Sequence, residues 1–240
     1  MTESKVLLFI VEGPSDEASL APALEQIITG STVKFKVMRA DITSDYGSTV
    51  ENIERRIKEF GVKRFLTDNS QFSANDICGI VHIVDLDGAF IADELVTEGE
   101  VEDVQYYDDR IVCKNREKFL RGKNNKEANL LHLSSISEIS IPYGVVVPYS
   151  IFYMSCNLDH VLHNKRNSTK KQKQEDSILF ADNYDDPEKF ASFFNGSDIK
   201  IEGTYPETWK YAQIELNSLK RGSNFWICID TYKKNEEVGS

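Results

Sequence analysis

Four cysteines in 240 residues, at positions 78, 113, 156 and 228, form no CxxC pair and no dense framework. Their spacing excludes a zinc ribbon, a dithiol redox centre and a disulfide-stapled scaffold. They read as free buried thiols. No apolar run approaches the ~20 residues that span a bilayer. The opening MTESKVLLFI carries one lysine and runs straight into Glu12 without the small-residue cleavage pattern of a signal peptide. A cytoplasmic protein with no membrane partner is therefore expected. There is also no GxxxxGK[ST] phosphate loop, no repeat and no low-complexity tract.

Basic residues are scarce overall. Lys and Arg number 28 against 39 Asp and Glu, a formal charge of −11, whereas a phosphate-backbone track calls for clustered cations. The deficit is local, because residues 93–109 hold eight acids and no base. Immediately after it, residues 110–126 carry seven bases (Arg110, Lys114, Arg116, Lys118, Arg121, Lys123 and Lys126) against the single acid Glu117. A second basic cluster contains Lys165, Arg166, Lys170, Lys171 and Lys173. Arg116, Arg121, Lys123, Lys165, Lys170 and Lys171 are the candidate nucleic-acid contacts, and an ordinary solvated face is the competing explanation for each.

Residues 5–11, KVLLFIV, form a continuous apolar run of the kind found in strands buried on both faces. The run ends at Glu12. Gly13 and Pro14 then break the chain, Ser15 can cap, and Asp16 and Glu17 suit the positive end of a helix reaching Ile28. A strand is expected at 33–38, a helix from a Ser48/Glu51 capping box to Phe60, and a second buried strand at 77–84 ending at Asp85 and Asp87. The acidic stretch reads as a loop or insertion. It is followed by a basic helix at 115–133, a strand at 144–153, a helix at 156–164 and another after the Lys-rich NSTKKQKQ. The chain closes with a helix at 204–219 and a strand at 224–230. Alternating strands and helices imply a Rossmann-like α/β fold, a mostly parallel sheet with helices on both faces. The expected organisation is a catalytic domain over 1–163, with an insertion at about 89–142, and an α-rich C-terminal extension over 164–240 packed on it.

In open parallel sheets, ligands gather at the carboxyl ends of the strands, where this pattern puts Glu12, Asp85 and Asp87. Converging carboxylates repel one another unless a cation or protons compensate. Their hard oxygens are of the sort Mg²⁺ prefers. Taken singly, each acid has the plainer reading of a cap or turn residue.

The runs FIVEGPSDEASL (9–20) and HIVDLDGAF (82–90) resemble the Toprim domain shared by topoisomerases, primases, ribonuclease M5 and OLD-type nucleases. The resemblance covers about the first 90 residues. It implies an α/β fold and Mg²⁺ or Mn²⁺ at Glu12, Asp85 and Asp87. Asp16 falls on the second acid of the EGxxD form found in OLD-like members. Ser155 and Asp159 in MSCNLDHVL would fill the later Ser and acid positions and join the metal ligands. The implied chemistry is phosphodiester cleavage in DNA or RNA. A 240-residue chain without a Cys/His framework leaves room for neither a topoisomerase tyrosine domain nor a primase zinc module, which points to a nuclease. OLD-like nucleases also imply a separate ATPase partner and a setting in antiviral defence.

Two rival readings stand beside this one. VDLDGAF also resembles the nucleophile motif of haloacid-dehalogenase-like phosphatases, with Asp85 as nucleophile, Asp87 as general acid and Asp185 and Asp186 as late metal acids. Ala89 stands where that pattern has Thr or Val. The other rival is a catalytically inactive Toprim-like binding module. His160, His163 and Cys156 lack a fourth ligand for zinc, and Trp209, Tyr211, Phe225 and Trp226 read as core.

Overall fold

The computed structural model describes residues 5–29, 31–38 and 41–237. Strand β1 (Val6–Val11) buries all six of its side chains. The pleat sends Val6, Leu8 and Ile10 into one core and Leu7, Phe9 and Val11 into another. A continuous apolar run is what a strand covered on both faces needs. At roughly 1.5–3 kcal/mol per buried large apolar side chain, this strand contributes on the order of 10 kcal/mol before conformational entropy is counted.

Seven more strands follow among the described residues: β2 (Thr32–Val37), β3 (Ile77–Asp85), β4 (Val96–Glu98), β5 (Gln105–Tyr106), β6 (Ile111–Cys113), β7 (Glu138–Ser140) and β8 (Val146–Met154). The main sheet has the order β2-β1-β3-β8-β7. Its first four strands are parallel and β7 is an antiparallel edge. The parallel strands thus bring their carboxyl ends to one side. Glu12 directly follows β1, Asp85 is the last residue of β3, and Ser155 directly follows β8.

The helices are α1 (Pro14–Ile27), α2 (Ile53–Arg56), α3 (Lys63–Asp68), α4 (Arg116–Ser135), α5 (Leu158–His163), α6 (Lys170–Asn183), α7 (Pro187–Phe194), α8 (Tyr205–Ala212) and α9 (Trp226–Glu237). One sheet face is covered by α1, α5, α6, α7 and α9, which contribute Leu20, Val161, Phe180, Phe190 and Ile229 to its core. The other face is covered by Ile53 of α2, Phe65 of α3, Leu130 of α4 and Trp209 of α8. This is the mostly parallel α/β architecture expected, and the segment from 164 onward supplies much of one cover.

The end of β8 is stitched to residues 217–224. Ser155 donates through Oγ to the Asn217 carbonyl at 2.6 Å and through its amide to the Gly222 carbonyl at 2.8 Å. The Asn224 side chain accepts from the Tyr153 amide at 2.9 Å.

Several elements differ from expectation. Residues 224–230 are not a strand, since α9 begins at Trp226. Phe225, Cys228 and Ile229 are buried at helical spacing, while Asn224 is drawn out to β8. The helix expected over 204–219 ends at Ala212, because Asn217 and Ser218 are needed against β8. No Ser48/Glu51 capping box forms; Asn52 is the N-cap of α2, and a π-helical turn over Ile57–Val62 joins α2 to α3. The acidic stretch contains β4 and β5, which with β6 make a small sheet of order β4-β6-β5 over Ile91, Val96, Ile111 and Leu219. No helix among the described residues is long and apolar enough to cross a membrane.

Candidate active site

Three carboxylates meet beyond the ends of adjacent strands. Glu12 leaves β1, Asp41 follows β2, and Asp87 lies in the turn after β3; their ligand atoms all fall within 4.8 Å of one another. Lys126, reaching in from α4 and 2% exposed, inserts its ammonium among them. Nζ lies 2.6 Å from Asp87 Oδ2, 2.8 Å from Asp41 Oδ2 and 3.8 Å from Glu12 Oε1.

The turn carrying Asp87 is strained in a useful direction. Asp87 and Gly88 both adopt positive φ, 48° and 68°, which bends the chain back over the strand end. A Cβ at Gly88 would approach Ile111 Cδ1 to 2.7 Å and Leu219 Cδ2 to 2.9 Å, so only glycine fits. The Asp87 amide donates to the Cys156 carbonyl at 2.7 Å, and Tyr106 donates its hydroxyl to Asp87 Oδ1 at 2.9 Å.

A second group of acids adjoins the first. Asp85 accepts the Leu158 amide at Oδ1, 2.8 Å, and donates its own amide to Glu12 Oε1 at 3.3 Å. Asp16 Oδ2 accepts the Gly13 amide at 2.8 Å, and Asp159 pairs with Lys173 of α6 at 2.8 Å. Glu12, Asp16, Asp41, Asp85, Lys170 and Lys173 line a common cleft of about 750 Å³.

Burial, reinforced by the Asp41 charge, lifts the Glu12 carboxyl well above its usual range against the pull of Lys126. Burial with Asp87 and Asp16 nearby does the same to Asp85. Burial raises Asp16 to about 6 despite the Gly13 amide. Asp41 behaves in the opposite way: burial would raise it, but the Lys126 charge and hydrogen bond, with Thr43, hold it down to about 2. Burial works against the Lys126 ammonium, yet Asp41, Asp87 and Glu12 together keep it firmly protonated. With all three ionised, Glu12, Asp41 and Asp87 against one ammonium carry a net charge of −2, which one divalent ion would offset in place of the proton that the raised Glu12 favours. Their oxygens are the hard donors Mg²⁺ and Mn²⁺ take. The residues therefore fit such an ion.

Sequence reasoning found Glu12, Asp16, Asp85, Asp87 and Asp159, which the structure gathers at one end of the sheet. Ser155 is 2% exposed, and its hydroxyl donates to the Asn217 carbonyl. Asp41 and Lys126 were missed. Asp41 follows a strand as Glu12 does, and the same rule points to it. Lys126 was hidden in a basic run, although Lys123, Lys126, Asn129, Leu130 and Leu133 form one buried stripe of α4.

The basic run is exposed only in part: Arg110, Lys114, Lys118 and Arg121 face solvent, and the others do not. Lys123 is 6% exposed and pairs with Asp93 at 3.0 Å. Arg116 donates to the carbonyls of Val96 and Asp93, each at 2.7 Å. Arg121 pairs with Glu117 at 3.2 Å. The Arg116 and Lys123 bonds tie α4 to the acidic stretch, with Lys123–Asp93 the charge pair between them, whereas Arg121–Glu117 lies within the helix. Lys165 pairs with Asp176 at 2.7 Å, exposed Lys171 lies 3.6 Å from Glu175, and Lys170 faces the large cleft. Asp186 is spent capping α7, accepting the Glu188 and Lys189 amides. His160 is buried and lowered to about 4, chiefly by burial.

The fold and site thus define an α/β protein with a lysine-bridged carboxylate cluster at its strand ends. No family model, curated protein or solved structure matches the chain.

Proposed function

We propose that this protein is a metal-dependent nuclease of Toprim type, cleaving phosphodiester bonds in DNA or RNA. The observation that carries the reading is the convergence of Glu12, Asp41 and Asp87 within 4.8 Å at the ends of neighbouring parallel strands. The resemblance of FIVEGPSDEASL and HIVDLDGAF to the Toprim domain supports it.

In this reading Glu12, Asp41 and Asp87 hold Mg²⁺ or Mn²⁺, with Asp16, Asp85 and Asp159 beside them. When bound, the metal supplies Lewis-acid charge to a phosphoryl oxygen and a nucleophilic water. Lys126 keeps the three carboxylates from springing apart before the metal arrives and lends positive charge as the phosphate gains negative charge. Asp85, whose Oδ1 accepts the Leu158 amide and whose burial favours the neutral acid, can hold a proton at its other oxygen for the leaving group. The proposal extends to a nucleic-acid substrate, a separate ATPase partner, cytoplasmic location and a role in antiviral defence.

The test is purified protein with Mg²⁺ or Mn²⁺ against supercoiled plasmid, single-stranded DNA, structured RNA and p-nitrophenyl phosphate. Metal-dependent cleavage of a nucleic acid is expected. Glu12→Gln, Asp41→Asn, Asp85→Asn and Asp87→Asn should each lower it at least a hundredfold with the fold intact. Full activity in Glu12→Gln would sink the reading, and turnover of the nitrophenyl ester alone would favour a phosphatase.

A further inference from the structure

Two cavities share the carboxylate cluster as their dividing wall. Glu12, Asp41 and Asp85 line the larger cleft described above, whereas Asp87 and Lys126 line a second of about 480 Å³. That second volume lies within the ~300–1,000 Å³ usual for small-ligand sites.

Its lining is mostly apolar. Ala89, Val104, Tyr106 and Phe119 form the interior, and Lys114 and Lys118 stand on the rim. Tyr106 joins the two environments, its ring facing the cleft while its hydroxyl holds Asp87 at 2.9 Å. The rim lysines are unlike their neighbours on the same stretch. Arg121, Lys123 and Lys126 are all engaged in ion pairs, but Lys114 and Lys118 are exposed and have no ion pair among the described residues. An aromatic interior, free ammonium groups at the mouth and a metal-type site in the wall match the three parts of a nucleotide.

We infer that this cleft holds a nucleoside, the base and sugar adjoining the phosphate that the Glu12–Asp41–Asp87 cluster engages. The inference deepens the nuclease reading and rests on it for the position of that phosphate. The base stacks on Phe119 and Tyr106, and Lys114 and Lys118 meet the next phosphate along the strand. Glu102 shares the rim, so the lysines' attraction is partly offset and burial of the base carries most of the affinity.

Gly122 supplies a clean way to fill the cleft. It lines the cavity from mid-α4, and a Cβ there would meet only Ser44, whose carbonyl oxygen lies at 3.4 Å. Leucine is also favoured over glycine inside a helix, so Gly122→Leu should fold at least as well as the parent. The experiment is calorimetric titration in Ca²⁺ with nucleoside monophosphates, the matching nucleosides and inorganic phosphate.

The parent should bind a monophosphate at least about tenfold more tightly than phosphate, as expected for one stacked base. Gly122→Leu and Phe119→Ala should each remove about that advantage. Lys114→Ala/Lys118→Ala should leave nucleoside binding in place and flatten the salt dependence of a dinucleotide by about 0.7 units of log–log slope, the value for one phosphate of a single strand. Equal affinities for phosphate and monophosphate, or unchanged binding in Gly122→Leu, would overturn the inference. Nucleotide binding in this cleft without any metal-dependent cleavage would sink the nuclease reading and leave the cleft assigned. Cleavage by the parent with no measurable monophosphate binding would do the reverse.

Discussion

Lys126→Met keeps the length of the buried side chain and removes its charge, which leaves Glu12, Asp41 and Asp87 facing one another without a cation. Stripping one partner from a buried ionic group typically costs about 3–5 kcal/mol. Thermal melts in EDTA should show a loss of that order, larger at pH 8 than at pH 5, where protons can neutralise the acids. Millimolar Mg²⁺ or Mn²⁺ should recover most of it by binding only the folded state. A variant as stable as the parent in EDTA would mean that the ammonium does not hold the cluster together. Asp16 yields a second residue-level test with a defined pH window. Its folded value of about 6 lies above the 3.8 of an unperturbed aspartate, so the folded state binds more protons between them. The stabilisation is present below 3.8 and is lost as pH rises through about 6, on the order of 3 kcal/mol in all. Asp16→Asn carries no such titration. Relative to the parent it should gain stability from pH 4 to pH 7, and a pH-independent difference would contradict the assigned environment.

Among the elements, the turn joining β3 to Asp87 is the least tolerant. Gly88→Ala meets both the left-handed backbone, about 1–2 kcal/mol for a residue with a Cβ, and the side chains of Ile111 and Leu219. Denaturant unfolding should show a loss above about 2 kcal/mol, and metal-dependent cleavage should fall with it as Asp87 is displaced. β1 and β3 were legible because strands covered on both faces are almost continuously apolar, whereas β8 alternates exposed and buried residues over its first half and is buried throughout only from Ile151 to Met154. The same rule misread 224–230, where a short apolar run fits a helix equally well and the burial of Phe225, Cys228 and Ile229 decides. The site was legible where acids abut apolar strands, as at Glu12 and Asp85. It was illegible at Lys126, whose partners lie 39, 85 and 114 residues away in sequence. A lysine that crosses the structure to neutralise acids leaves the same trace in a sequence as one that faces water.

For the molecule as a whole, the average charge of −11 says little about any one surface. The acidic stretch and α4 are joined through Arg116 and Lys123, and Lys114 and Lys118, without an ion pair among the described residues, line the second cleft. The bonds from residues 217–224 to the end of β8 bear on how the protein comes into being. Ribosomes add about 5–20 residues per second, so on the order of ten seconds separate the emergence of Ser155 from that of Asn224. Throughout that interval the nascent sheet lacks the groups that seal its β8 end. Vectorial synthesis therefore leaves the β8 end open until α9 begins to form.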